Sequence, residues 1–199
     1  MRQKFSKKIF SDEDAFHMST PEIIGEHISN QLAHYKTCAE LCCAVGMLSV
    51  QLAKRMDKVF AIDIDEKRIS DSRKNAELYG VAEKIKFIKG NVLDEHLLKK
   101  LTAEVVILDP DWSRKGMSKS LHVVSIDDTQ PSLREMFNLA KKLISKNIVV
   151  RIPKTFNLST ISELGICKIE NIIWDGEIKF KIAYFLEGIN SSEEVDFVF

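Results

Sequence analysis

The feature that most constrains this chain is a rhythm. Strand-like runs at residues 37–42, which alternate, 58–62, 84–88, 105–108, which is wholly apolar, and 147–152 each give way to helical spacing, at 47–56, 66–79, 93–101, 131–144 and 158–164. A strand that returns through a helix to lie parallel with its predecessor is buried on both faces, so it reads as continuously apolar. Repeated units of this kind predict a parallel, doubly wound α/β sheet. Two alternating runs, 166–174 and 177–186, then meet at Asp175-Gly176. Asp-Gly between alternating runs signals a tight hairpin, so the last strand is expected to run against the others. The expectation is seven strands in a single domain over 20–186. Thr20 as N-cap and Pro21 at the first helical position open a helix that runs to about residue 34. Residues 1–18 show no clear period, and 1–19 is read as an N-terminal segment contributing to the site. The polar, acidic stretch 187–199 is read as a loose tail.

Composition narrows the function classes. The 29 basic and 29 acidic residues cancel, which gives no support to broad, sequence-independent nucleic-acid binding. Cys38, Cys42, Cys43 and Cys167 lack zinc-ligand spacing and sit among apolar neighbours, so they read as core, and no metal is expected. The basic start of the chain has no apolar stretch behind it, and no run approaches the roughly 20 apolar residues of a membrane helix. A soluble, cytoplasmic monomer with no membrane partner is the expectation.

In an open α/β sheet, ligands bind outside the carboxyl ends of the strands. The first run ends in Glu40 and a small-residue turn to Gly46, the second at Asp63, the third before Asn91. A small-residue turn lets backbone approach a ligand closely, and a carboxylate about twenty residues on can accept the hydroxyls of a ribose. Neither a dinucleotide glycine fingerprint nor a P-loop lysine is present. Taken singly, Asn91 reads as a turn residue, and Asp63 equally as a capping carboxylate or a ribose acceptor. Together, at successive strand ends, they favour a nucleoside-bearing cofactor. The fourth run ends in Asp109-Pro110-Asp111-Trp112: a carboxylate, a stiff turn, a second carboxylate and a flat aromatic.

These residues resemble the class I S-adenosylmethionine-dependent methyltransferases, a Rossmann-like fold. More narrowly, they resemble the RNA cap guanine-N2 methyltransferases, the trimethylguanosine synthase group. The resembling stretches are Phe-His-Met-Ser-Thr-Pro-Glu at 16–22, residues 40–46, Ala-Ile-Asp-Ile-Asp at 61–65, Asn-Ala-Glu-Leu-Tyr-Gly at 75–80, the Asp-Pro-x-Trp loop, and Ile-Ala-Tyr-Phe at 182–185. The resemblance implies S-adenosyl-L-methionine as cofactor. Glu40 would face its amino acid moiety, the turn through Cys42, Ala44 and Gly46 would pass beneath it, and Asp63 with Ile64 would take the ribose. Asn91 with Val92 would meet the adenine, and Thr20, Pro21 and Asp109 would lie near the methionine end. Three positions depart from the pattern. Ala44 stands for a usual glycine, Asn91 for an aspartate, and Asp111 for a proline. The glycine-rich continuation expected after Trp112 is replaced by Ser-Arg-Lys-Gly-Met-Ser-Lys-Ser at 113–120.

Methyl transfer from a sulfonium is an in-line displacement in which the protein mainly positions the nucleophile. An exocyclic base amine has a delocalised lone pair. Hydrogen bonds from its protons to Asp109 and the Pro110 carbonyl localise that pair and receive the developing charge. Trp112 offers a stacking plane worth roughly 1–3 kcal/mol per base. Arg114, Lys115 and Lys119 are candidate phosphate contacts on an RNA substrate, capped or not, and equally a solvated loop. The extra carboxylate Asp111 would favour a cationic base such as a methylated cap guanine. Guanine N2 is the expected acceptor. The alternatives are another amine, such as adenine N6 of ribosomal RNA, and a cofactor-binding module impaired by Asp111.

Overall fold

In the computed structural model, residues 3–112 and 125–199 are described, and the chain divides into two compact units, Met1–Val105 and Val106–Phe199. The first unit opens with α1 (Glu13–Met18) and α2 (Glu22–Gln31), followed by β1 (Thr37–Leu41), α3 (Met47–Ala53), β2 (Lys58–Asp63), α4 (Glu66–Tyr79), β3 (Ile85–Lys89) and α5 (Glu95–Leu98). β1 pairs with β2 and β2 with β3, both in parallel, with Glu40 beside Ala61 and Asp63 beside Lys89. The register brings the carboxyl ends of all three strands to one edge. β1 is buried over its last four residues and β2 over its last five.

The second unit holds β4 (Val105–Leu108), α6 (Leu133–Leu143), β5 (Ile148–Pro153), α7 (Leu158–Ser162), β6 (Lys168–Trp174), β7 (Glu177–Phe185) and β8 (Glu193–Val198). β4 and β5 are parallel, β7 runs antiparallel to both β5 and β6, and β8 lies parallel to β6. The reversed strand is the expected one. Its turn has Asp175 at φ 53° and Gly176 at φ 77°, the two positive dihedrals that match a tight hairpin to strand twist. β4 and β5 are buried throughout, as strands covered on both faces are.

Three expectations are corrected. Among the described residues eight strands form rather than seven, because the acidic stretch at 193–198 is a strand and not a loose tail. Its hold is polar and non-local. Lys181 reaches Glu194 at 2.8 Å and the Asn171 amide donates to Asp196 at 2.9 Å. Residues 13–18 form a helix, capped by Asp12, whose carboxylate accepts from Ala15 N–H, and anchored by the fully buried Ala15. The N-cap of α2 is Pro21, with no side-chain capping bond, and Thr20 is buried one residue ahead of it.

The N-terminal segment is tied to its unit by a set of hydrogen bonds. Ser6 donates to Glu22 through both N–H and Oγ, at 2.8 and 2.7 Å, and the Tyr79 hydroxyl adds a third bond at 3.0 Å. Phe5 packs with Ala15, Val45 and Met47. Burial alone would raise the Glu22 carboxyl, but the bonds from Ser6 and Tyr79 and the charge of Lys54 outweigh it and hold the group below its ordinary value.

Candidate functional site

The cofactor candidates lie in the first unit and are organised by Asp63. Its two carboxylate oxygens accept from Ala44 N–H at 2.8 Å and from Asp65 N–H at 3.0 Å, while its backbone carbonyl accepts from Gly90 at 2.9 Å. One residue at the end of β2 therefore fixes both the turn after β1 and the start of the turn after β3. A carboxylate offers about four lone-pair sites, so the two backbone bonds leave acceptor capacity for a pair of ribose hydroxyls.

The turn itself is tightly wound. Cys42, Ala44 and Gly46 take φ of 69°, 48° and 73°, and the Cys42 and Cys43 amides both donate to the Ile62 carbonyl at 2.9 Å. Left-handed backbone costs a residue with a Cβ about 1–2 kcal/mol. At Ala44 the bond from its N–H to Asp63 offsets that cost, which explains how alanine stands where the resembling pattern has glycine. Gly46 has a second reason to be glycine: an added Cβ would lie 2.0 Å from Ser72 Oγ of α4. The turn is pressed against α4, with Cys43, Val45 and Gly46 buried and Cys42 and Ala44 half-buried.

Around the turn, Glu40 is 2% exposed and accepts from Ser49 Oγ of α3, while Asn75 donates to the Val45 carbonyl at 2.9 Å. Ile64 stands out beside Asp63 at 69% exposure, an apolar side chain suited to a flat base. Asn91 is exposed, and its side-chain oxygen accepts from Leu93 N–H at 2.9 Å, making the turn that precedes α5. Val92 is buried beneath it. The backbone-lined turn, the carboxylate with spare acceptors and the exposed apolar residue fit a nucleoside-bearing cofactor.

Burial pushes the Cys43 thiol well up, with the charges of Glu40 and Asp63 adding to the effect, and burial raises Cys167 to about 11. Among the described residues no group of His, Cys, Asp and Glu could hold a metal ion.

The second unit carries Asp109, Pro110 and Trp112. Asp111, between them, exchanges two backbone hydrogen bonds with Gln130, at 2.8 and 2.9 Å, which pins the loop without using its carboxylate. Asp109 accepts from Arg151 Nη1 at 2.7 Å. The same guanidinium contacts two rings, 4.6 Å from the centroid of Trp112 and 4.4 Å from that of Phe180. In the sheet, Arg151 pairs with Ile182 and Pro153 with Phe180, so Arg151 and Phe180 share one face of β5 and β7. Sequence reasoning missed Arg151 and Phe180. The available signal was a charge inside Ile-Val-Val-Arg-Ile at 148–152, a strand too apolar to hold an arginine without a partner. Arg114, Lys115 and Lys119 lie outside the described residues.

On the same sheet, Tyr184 donates to Glu170 at 3.0 Å, and Lys168 pairs with Glu170 at 2.9 Å. Burial, reinforced by Glu170, pushes the Tyr184 phenol well above its ordinary value, so this group is a structural tie.

Known proteins agree with this description. The profile of the RNA cap guanine-N2 methyltransferase family matches residues 35–188. The trimethylguanosine synthase of Schizosaccharomyces pombe is 23% identical over 193 residues, covering 92% of this chain and 80% of its own length. That of Saccharomyces cerevisiae is 24% identical over 177 residues, and the match spans 81% of this chain and 55% of the yeast protein. An uncharacterized RNA methyltransferase of Gloeobacter violaceus is 35% identical over 81 residues, 41% of this chain and 17% of that protein. Among solved structures, a protein described as a methyltransferase from Porphyromonas gingivalis W83 matches with a TM-score of 0.70 at 14% identity, over 88% of this chain and 43% of that one. The SAM-dependent methyltransferase of Agrobacterium tumefaciens matches with a TM-score of 0.63 at 16% identity, over 84% and 63%. The fold is thus the Rossmann-like fold of class I methyltransferases, and its cofactor is S-adenosyl-L-methionine. With its profile matched across most of its length, the chain belongs to the RNA cap guanine-N2 methyltransferase family.

Proposed function

We propose that this chain, acting as one methyltransferase domain over residues 20–186 in the cytoplasm, methylates an exocyclic amine of RNA, and that the acceptor is guanine N2. The observation that carries the reading is the Asp109-Pro110-x-Trp112 loop, with its carboxylate clamped by Arg151 and its indole ring near the same guanidinium. S-adenosylmethionine, when bound, supplies an electrophilic methyl group on a sulfonium. The residues proposed to hold it are Glu40, the turn through Cys42, Ala44 and Gly46, and Asp63 with Ile64, then Asn91, Val92, Thr20 and Pro21. The Asp109 carboxylate and the Pro110 carbonyl accept the two protons of the amine. This draws its lone pair out of conjugation with the ring and fixes its direction. One of those protons leaves with the charge that develops on nitrogen, and Asp109 receives it in this reading. Trp112 stacks the base, and Arg114, Lys115 and Lys119 contact the phosphates of the strand.

The test is transfer of an isotope-labelled methyl group to total RNA, followed by nucleoside mass spectrometry. Labelled N2-methylguanosine is the expected product. Labelled N6-methyladenosine instead would refute guanine as the acceptor, and cofactor binding without product would leave a binding module. Asp63→Ala strands two backbone donors, each worth about 1–3 kcal/mol. It is therefore expected to lower cofactor affinity at least about tenfold by calorimetry, and an unchanged affinity would refute the assignment.

A further inference from the structure

A groove of about 400 Å³ opens at the amino ends of β2 and β3, at the opposite end of β2 from Asp63. Four exposed cations line it: Lys58 at the start of β2, Arg73 on α4, Lys84 just ahead of β3 and Lys86 within it. Two acids, Asp57 and Glu83, share the groove, yet none of the four cations has an ion-pair partner among the described residues. Other cations of the same unit behave differently. Lys67 and Lys74 both pair with Asp71, Lys89 with Glu66 and Lys99 with Glu95.

Rings, not carboxylates, steady two of the four. The Arg73 guanidinium lies 4.9 Å from the centroid of the half-buried Phe87, and the Lys58 ammonium 4.8 Å from that of Phe60. A ring face holds a cation in place without neutralising it. Arg73 therefore presents a planar fork of donors that is already partly ordered, a geometry that suits a phosphate. The charges of the whole chain cancel, so this unneutralised cluster is a local feature. Lysine on an edge strand also blocks pairing with another sheet, and β3 is such an edge. That role accounts for Lys86 but not for Arg73 on α4 or Lys58 on β2.

We infer that this groove binds the phosphodiester backbone of the RNA substrate at a distance from the cofactor turn. The inference rests on the reading that RNA is the substrate. Lys58 and Asp63 stand at the two ends of β2, about 17 Å apart at about 3.3 Å per residue. Phosphates stacked along one strand are about 3.4 Å apart, so a dinucleotide held at the cofactor end falls short of the groove and a strand of roughly 20 nucleotides reaches it.

The experiment follows binding of a fluorescent single-stranded RNA of that length to the full chain, by anisotropy over a range of salt. Each phosphate contact on a single strand adds about 0.7 to the slope of log affinity against log salt. Lys84→Gln combined with Lys86→Gln should therefore lower the slope by about 1.4. Raising salt from about 50 to about 200 mM then costs this variant about sevenfold less affinity than it costs the wild type. Arg73→Lys, which keeps the charge and loses the fork, should hold the slope and weaken binding. Cofactor affinity by calorimetry should be unchanged in both variants, which shows that the fold is kept. An unchanged slope in the double variant would overturn the proposal, and self-association of that variant would then assign its lysines to guarding the edge. Tighter wild-type binding of a poly-glutamate peptide than of the RNA would assign the groove to an acidic protein partner and overturn it as well. If the wild type methylates RNA while the slope does not respond, only the groove falls. If it neither binds nor methylates any RNA, the substrate reading falls with it.

Discussion

Replacing Gly46 with alanine puts two separable penalties on one position. At φ 73° the new residue adopts left-handed backbone, worth about 1–2 kcal/mol against glycine. Its Cβ would lie 2.0 Å from Ser72 Oγ and 3.0 Å from Ser72 Cβ, so the serine must leave its rotamer at about 0.5–1.5 kcal/mol. The sum is about 1.5–3.5 kcal/mol. Ser72 Oγ is buried without a hydrogen-bond partner, so Ser72→Ala on its own is expected to be neutral or slightly stabilising. The double variant keeps the backbone penalty but loses the closest clash. It should therefore lie about 1 kcal/mol above the sum of the single changes. Urea unfolding of the four proteins measures this directly. At a slope of about 1–3 kcal/mol per molar urea, Gly46→Ala should move the midpoint by about 1 M. Two changes without mutual contact add within about 0.3–0.5 kcal/mol, so additivity in that range would refute a turn pressed against α4.

Two more outcomes follow from charges already placed. The folded carboxyl of Glu22 lies below its unfolded value of about 4.3, so its contribution is fully present above that value. It is lost as the pH falls through the lowered folded value. Protease protection of residues 3–11 should therefore drop on acidification, and Glu22→Gln should remove that step; an identical acid profile in the variant would reject the role of Glu22. Lys181 is 9% exposed and pairs with Glu194, so Glu194→Leu alone is expected to cost about 2 kcal/mol by leaving a buried cation. Adding Lys181→Met should recover most of that loss in thermal unfolding, and equal melting of the single and double variants would count against the pair.

The strand and helix order is legible because the central strands are buried and largely apolar, β4 throughout, β2 after Lys58 and β5 apart from Arg151. The hairpin is legible because Asp175-Gly176 accepts positive φ cheaply. What sequence reasoning could not reach is held together at long range. β8 offers only a short, half-buried apolar face, Val195, Phe197 and Phe199, after two acidic residues, and its hold comes from the ladder with β6, from Trp174 against Phe199, and from Asn171 and Lys181 on other strands. The six residues of α1 owe their order partly to Lys4, whose ammonium caps the Phe16 and His17 carbonyls at 2.5 and 2.9 Å. The site divides in the same way. Asp63 and the loop 109–112 announce themselves at strand ends, whereas Arg151 lies in mid-strand, 42 residues from the carboxylate it clamps.

Asn75 gives the start of the chain a stake in the cofactor turn. Its single side-chain amide donates to Phe10 O at 3.0 Å and to Val45 O at 2.9 Å, and its oxygen accepts from Phe10 N–H at 2.8 Å. One rigid group thus serves as the hinge pin for two segments that are 35 positions apart in numbering, residues 10 and 45. Removing that one amide would release the peptide at Phe10 and the Val45 carbonyl of the turn together, although the two segments lie far apart in sequence.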